Sequence, residues 1–163
     1  FRYLVGKIPS SGIGNRLGVF VNARRVGVAV EAGSYAFCQT SAILPSTPAW
    51  RHLGFTFDGT QSTNATKLKI YVSGSEEAID LSTGTLGTAS PTNDGDLLFG
   101  HYNGSGSFAI NARIDDVRVF DAVLTQDDWT NLASQRGYQP VTGIKRPRIN
   151  GSLIGRSLTA GAC

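Results

Sequence analysis

Two groups of side chains in the 163-residue sequence carry enough polar chemistry to be tested for function. The first is the acidic run Glu76-Glu77-Ala78-Ile79-Asp80. Splitting a sugar bond with retention needs two carboxylates about 5 to 5.5 Å apart, one as nucleophile and one as general acid. This run follows the turn signal Ser73-Gly74 and reads instead as a solvated strand edge. The second group is His101-Tyr102-Asn103 beside Gly104-Ser105-Gly106, with Asp94 and Asp96 a few residues earlier. An aromatic face with amide and carboxylate groups in one loop is the chemistry that holds a neutral sugar, so Asp94, Asp96, His101, Tyr102 and Asn103 are the candidate glycan-binding residues. The competing reading is an ordinary glycine-rich hairpin loop, and Asp94 with Asp96 also reads as a candidate calcium site on the rim. The only histidines are His52 and His101, and there is no Gly-x-Ser-x-Gly elbow, phosphate loop, dinucleotide fingerprint or zinc spacing. The chain is therefore expected not to be an enzyme. Three Asn-x-Ser/Thr triplets, at Asn64, Asn103 and Asn150, become glycan acceptors only on a glycosylating secretory route.

The elements that must position these groups alternate with a period of two. Phe1 to Lys7 opens the series, with Phe1, Tyr3 and Val5 on one side. Leu17 to Val21 and Val26 to Val30 flank Asn22-Ala23-Arg24-Arg25 and predict a hairpin. Tyr35 to Leu44 follows, and Pro45 and Pro48 stop pairing because proline donates no ladder hydrogen bond. Trp50 to Phe57 ends at Asp58-Gly59. Lys67 to Val72 turns Leu68, Ile70 and Val72 inward and Lys67, Lys69 and Tyr71 outward. Glu76 to Leu81, Leu97 to Gly100, Ser107 to Ile110 and Arg113 to Phe120 bring the count to about ten strands. The fold class is all-β, an antiparallel two-sheet jelly-roll sandwich closing over Trp50, Phe55, Ile70 and Val119. One short helix near residues 125–134 breaks the period. Thr125 is its N-cap, Asp128 completes a capping box, and Trp129 packs against an end of the sandwich.

Composition agrees with one domain. Apolar residues make up 40% and charged residues 17%, too apolar for disorder, and no run approaches a membrane-spanning helix. Twenty glycines imply many tight turns. The first residues lack a signal peptide's pattern, and the start at Phe1 without any methionine points to a processed product or part of a longer polypeptide. Cys38 lies in an alternating stretch and is expected to be a buried thiol, while Cys163 is free to cross-link. Charge is segregated along the chain. Residues 1–57 hold six bases against Glu31 alone, residues 58–128 four against eleven acids, and residues 129–163 five bases with no acid. One reading is mutual neutralisation between neighbouring strands; the other is a basic tail seeking an acidic surface. Residues 1–138 form the sandwich domain. Residues 139–163, with Pro140, Pro147, scattered Val141, Ile144, Ile149, Leu153 and Ile154, and the bases Lys145, Arg146, Arg148 and Arg156, form an extended assembly arm lying on its own sandwich or on a neighbour. The tail after Tyr138 has no aromatic and no nucleic-acid motif, so nucleic acid is not an expected partner.

The order of several strings resembles the laminin G-like, concanavalin A-like jelly-roll modules of lectins and glucanases. They are Trp50-Arg51-His52-Leu53-Gly54-Phe55-Thr56-Phe57-Asp58-Gly59, Lys67-Leu68-Lys69-Ile70-Tyr71-Val72-Ser73-Gly74, Leu97-Leu98-Phe99-Gly100, and Phe108 followed by Ile114-Asp115-Asp116-Val117-Arg118-Val119-Phe120 and the Leu124-Thr125 helix start. The likeness covers roughly residues 50–134 and is thinner before them, where the opening strand of such a module is missing. Asn111 stands where the family often has glycine. The resemblance implies the jelly roll. It also implies a calcium ligand at Asp115, the position matching the first Asp of the glucanases' last-strand Val-Asp-Tyr-Val-Arg-Val-Tyr; the competing reading pairs Asp115 with Arg113 or Arg118 or has it cap a loop. The glucanases' Glu-x-Asp-x-x-Glu string is absent. The expected function is a non-catalytic recognition or assembly module of an extracellular, virion or cell-surface structure, its partners being glycans or other copies and subunits. A stand-alone calcium-dependent lectin and an accessory glucanase domain are the alternatives.

Overall fold

The valine-rich hairpin sets the register of the larger sheet. Leu17 pairs with Val30, Val19 with Val28 and Val21 with Val26, so these side chains leave one face of the ribbon together. Ala23 and Arg24 close it with φ of 48° and 65°, the primed turn whose twist suits paired strands. In the computed structural model, which describes residues 1–9, 15–92, 95–102 and 108–135, these strands are β2 (Leu17–Asn22) and β3 (Arg25–Val30). The others are β1 (Arg2–Lys7), β4 (Phe37–Thr40), β5 (Leu53–Phe57), β6 (Leu68–Val72), β7 (Ser75–Glu77), β8 (Ile79–Thr83) and β9 (Leu97–Phe99). Six pair in the order β8-β4-β3-β2-β1-β9 and three in the order β5-β6-β7, antiparallel throughout. This is the two-sheet all-β sandwich expected from the alternation.

Val26, Val28, Val30, Ala36 and Cys38 from the larger sheet meet Leu68 and Ile70 of β6, with Leu86 beside them and Phe55 packed against the cluster. Each of the fully buried members removes apolar area worth about 25 cal/mol per Å². Cys38 is fully buried, as its place in the alternation implied.

Several expectations are corrected. Trp50 is 67% and Val119 83% exposed, so neither closes the core, although Phe55 and Ile70 do contribute to it. Trp50 stands before β5 begins, and no ladder carries it inward. Residues 113–120 are not a strand, because Asp116 takes a φ of 51° mid-run and the segment joins no sheet among the described residues. Of the expected strand at 107–110, the described part contributes only an isolated bridge between Tyr3 and Ala109. Glu76 to Leu81 is two strands, not one. The chain passes at Ala78 from β7 in the smaller sheet to β8 in the larger.

Helix α1 (Asn64–Lys67) is short and capped by Thr63, whose hydroxyl accepts from the Thr66 amide. Lys67, expected outward, is buried and donates its Nζ to the Leu86 carbonyl at 2.7 Å. Helix α2 (Gln126–Ser134) has the anticipated capping box of Thr125 and Asp128. It packs on the outer face of the smaller sheet, not on an end. There Trp129 stacks on Tyr71 with ring centres 5.0 Å apart and sits over Gly54, where a Cβ would come within 2.2 Å of the indole. Tyr71 does point outward, but this cover leaves it buried.

His52 lies 5.8 Å from Trp129, ring to ring. Burial, then the Arg118 charge, holds its imidazole below the ordinary value, with Asp116 opposing. The unfolded chain therefore takes up this proton more readily. Stability contributed by neutral His52 is present above about pH 6.5 and is lost as pH falls through the lower folded value. Urea midpoints measured at pH 7.5 and 5.5 are expected to differ less in His52→Gln than in the parent chain. An equal difference in both would remove His52 as a cause.

Candidate functional site

The opposite face of the larger sheet is also apolar. Strand alternation places Phe20 and Phe37 there, and Tyr3 and Ala29 join them in a second buried cluster. Phe20 lies flat over Gly27, where a Cβ would meet the ring at 2.2 Å, so glycine is what permits the aromatic to cross the strand. Phe1 stacks obliquely on Phe20 at 4.8 Å, Tyr35 meets Phe37 edge-on at 5.4 Å, and Tyr102 bridges Tyr3 at 4.9 Å and Phe108 at 5.3 Å. Phe1, Tyr35 and Phe108 keep part of their rings exposed.

Arg16 occupies this face because it directly precedes inward-facing Leu17, and Glu31 lies opposite because it directly follows Val30. The Glu31 amide donates to the Arg16 carbonyl at 2.8 Å. Arg16 Nε donates to Glu31 Oε2 at 2.7 Å and its Nη2 to Oε1, a two-point pair between side chains that are 8% and 0% exposed. Nη1 reaches the hydroxyls of Tyr3 and Tyr102 at 3.4 and 3.3 Å. The guanidinium lies 5.1 Å from the Tyr35 ring centre and 5.8 Å from that of Tyr102. Burial works against its charge, but the Glu31 hydrogen bond and the Tyr3 and Glu31 fields outweigh this and hold it protonated. Burial pushes the Tyr3 hydroxyl up to about 12, against the lowering field of Arg16, so it stays a neutral phenol.

These residues form a cavity of about 260 Å³ lined by Phe1, Tyr3, Arg16, Tyr35, Tyr102 and Phe108. Among the described residues its lining contains no carboxylate, and the positive charge of Arg16 is already matched by Glu31 beneath it. Ring faces and phenol hydroxyls around a neutralised floor suit an uncharged ligand with both C–H and O–H groups.

Of the glycan-binding candidates, the structure brings Tyr102 into this basin. His101 is half-buried next to it in sequence and Asp96 is exposed before β9, and neither lines the cavity. Asp94 and Asn103 lie outside the described residues, as do Lys145, Arg146, Arg148 and Arg156 of the arm. Arg16, Phe1, Tyr3, Tyr35 and Phe108 were not singled out as site residues from the sequence. One signal was available: Glu31 is the sole acid among the first 57 residues, and the hairpin register sets it across from Arg16.

The acidic run is divided between sheets. Glu76 pairs with Lys69 at 3.0 Å and Asp80 with Arg25 at 3.1 Å, all but Arg25 well exposed. At Asp115, Oδ1 accepts the Asp116 amide at 2.9 Å. It is Asp116, not Asp115, that takes Arg118, in a two-point pair at 2.8 and 2.7 Å. Among the described residues no group of three or more His, Cys, Asp or Glu side chains converges. Among the described residues no helix is long and apolar enough to cross a membrane.

The family model for the laminin G-type branch of the concanavalin A-like lectin/glucanases superfamily matches residues 2–128. No curated protein and no solved structure matches the chain. With its two facing antiparallel sheets and a match spanning most of its length, the chain belongs to the concanavalin A-like lectin/glucanases superfamily.

Proposed function

We propose that this domain is a non-catalytic recognition module whose outer-face basin binds a neutral glycan. The observation that carries the reading is the floor of the basin: an Arg16–Glu31 pair that cancels its own charge beneath partly exposed aromatic rings. A sugar ring presents axial C–H groups to such rings and hydroxyls to Tyr3, Tyr102 and the guanidinium edge. Recognition is favoured over hydrolysis because, among the described residues, the only carboxylate at the basin is Glu31, which is fully buried and bound by Arg16. A retaining or inverting site needs a second carboxyl within about 10 Å, with both open to substrate. By analogy with how such modules are deployed, the setting is a larger extracellular or particle-surface structure such as a virion decoration or tail fibre.

The test is a glycan array run with and without a chelator, on the parent chain and on Tyr102→Ala. Binding that survives the chelator and weakens about two- to tenfold in the variant is the expected result, since one aromatic contact is worth roughly 0.5 to 1.5 kcal/mol. Binding abolished by the chelator would instead make this a calcium-dependent lectin. Silence on the array, or release of sugar from β-glucans, would overturn the proposal, the latter in favour of an accessory glucanase domain.

A further inference from the structure

Residues 113–123 present an unusual surface. Among the described residues, 111–124 make no backbone-to-backbone hydrogen bond, and of their amides that of Asp116 turns to the Asp115 side chain, which leaves backbone groups here that an added strand could pair with. Val117, Val119 and Val123 are exposed along the segment, and Trp50 is exposed just before β5. The segment runs beside the start of β5: its Phe120, with Leu124 after it, packs against the Trp129 cluster, and the Trp129 ring lies 5.8 Å from that of His52, the residue before β5. It is also acidic: Asp115, Asp116 and Asp121 are exposed on it, and Asp127 follows at the start of α2. Against these stand two bases, Arg113 at its start and Arg118, which Asp116 occupies.

The described chain ends at this surface. Gln135, the C-cap of α2, places its Oε1 3.4 Å from Arg118 Nη1. From there the sequence continues for 28 residues with five bases and no acid, and Ile144-Lys145-Arg146-Pro147-Arg148-Ile149 interleaves branched apolar residues with charge. Pro147 suits only an outermost strand, which is what a segment added to this edge would be. Charge, apolar content and point of departure all match.

We propose that residues 144–154 of the chain's own arm lie along residues 114–121, adding backbone pairing and setting Lys145, Arg146 and Arg148 against Asp115, Asp116 and Asp121. This does not rest on the glycan reading. An arm lying on its own domain leaves the protein monomeric and covers the apolar strip within one chain.

Hydrogen–deuterium exchange on the full chain tests it, beside a full-length variant carrying Lys145→Glu, Arg146→Glu and Arg148→Glu. Amides of residues 114–121 are expected to exchange at least about tenfold slower in the parent than in the variant. The gap should narrow near 1 M salt, where the screening length falls to about 3 Å. Val119→Asp, at a side chain that touches little, should free the same amides. Continued protection of the β3 amides reports that each variant is folded. Equal exchange in parent and variants would overturn the proposal. So would protection that grows with protein concentration as the particle doubles in size, because the occupant would then be a second copy.

Discussion

Replacing Glu31 with alanine is expected to lower folding stability by about 3 to 5 kcal/mol, read as a large drop in the urea midpoint. The argument is the burial of its partner. Arg16 is 7% exposed and donates two of its hydrogen bonds to the carboxylate; without it the guanidinium keeps, among the described residues, long contacts to the hydroxyls of Tyr3 and Tyr102 and the ring faces of Tyr35 and Tyr102. A buried charge stripped of its counter-charge loses most of what offset its desolvation. On the scale of about 5 to 15 kcal/mol for a whole domain, that loss is severe. Glu31→Gln, which keeps one acceptor, should fall between. The double replacement Arg16→Leu with Glu31→Leu should recover much of the loss, because it removes both charges at once. If Glu31→Ala unfolds at the parental urea concentration, the guanidinium reaches water after all, and the basin's floor is not the sealed pair described above.

That pair also shows where the sequence was legible and where it was not. Alternation read out the hairpin, the inward set Leu68, Ile70 and Val72, and the position of Cys38, because each lies in a strand whose neighbours on both sides are present. It could not place Trp50 or Val119. A period of two says which residues share a face, but burial needs a ladder to hold that face against something, and neither residue has one among the described residues. Nor could it divide Glu76 to Leu81, since the same alternation serves a strand in either sheet; only the register to β6 or to β4 decides. The order of strings from Trp50 to Leu124 identified the family, and these strings mark turns and core positions rather than a ligand.

The candidate site was half hidden for a related reason. Tyr102 was visible because it sits with His101 and Asn103 in a polar loop, the usual sequence setting of a binding residue. Phe1, Tyr3 and Tyr35 were not, because aromatics in strands read first as core. Here β1 to β4 are apolar on both faces: valines fill the space between the sheets, and phenylalanines and tyrosines coat the outside. The clue is chemical type rather than period. An aromatic such as Phe20, on the side of a hairpin opposite its valines, needs a second partner layer, and on this face that layer ends in an open basin.

Trp129→Ala is expected to cost about 3 to 5 kcal/mol and to release α2 from the smaller sheet. The indole is 6% exposed, stacked on Tyr71, and is the main side chain joining the helix to the strands beneath. Its buried Nε1 has no hydrogen-bond partner among the described residues, so Trp129→Phe should be much milder: the ring contact is largely kept and a donor unmet by them is removed. Gly54→Ala should be damaging from the other side. The new Cβ would lie 2.2 to 2.7 Å from the six-membered edge of the ring, and the helix cannot easily back away, because Gln126 Nε2 is held by the Gly74 carbonyl at 2.6 Å. Overpacking of this kind costs about 1 to 3 kcal/mol. The decisive measurement is the double variant. In a Trp129→Ala background the methyl group has room, so Gly54→Ala should then cost almost nothing. Urea unfolding of the four chains, with near-ultraviolet dichroism following the Trp129 environment, gives the cycle. Additive costs would mean that the ring does not rest on Gly54 and that α2 is held by something other than the indole.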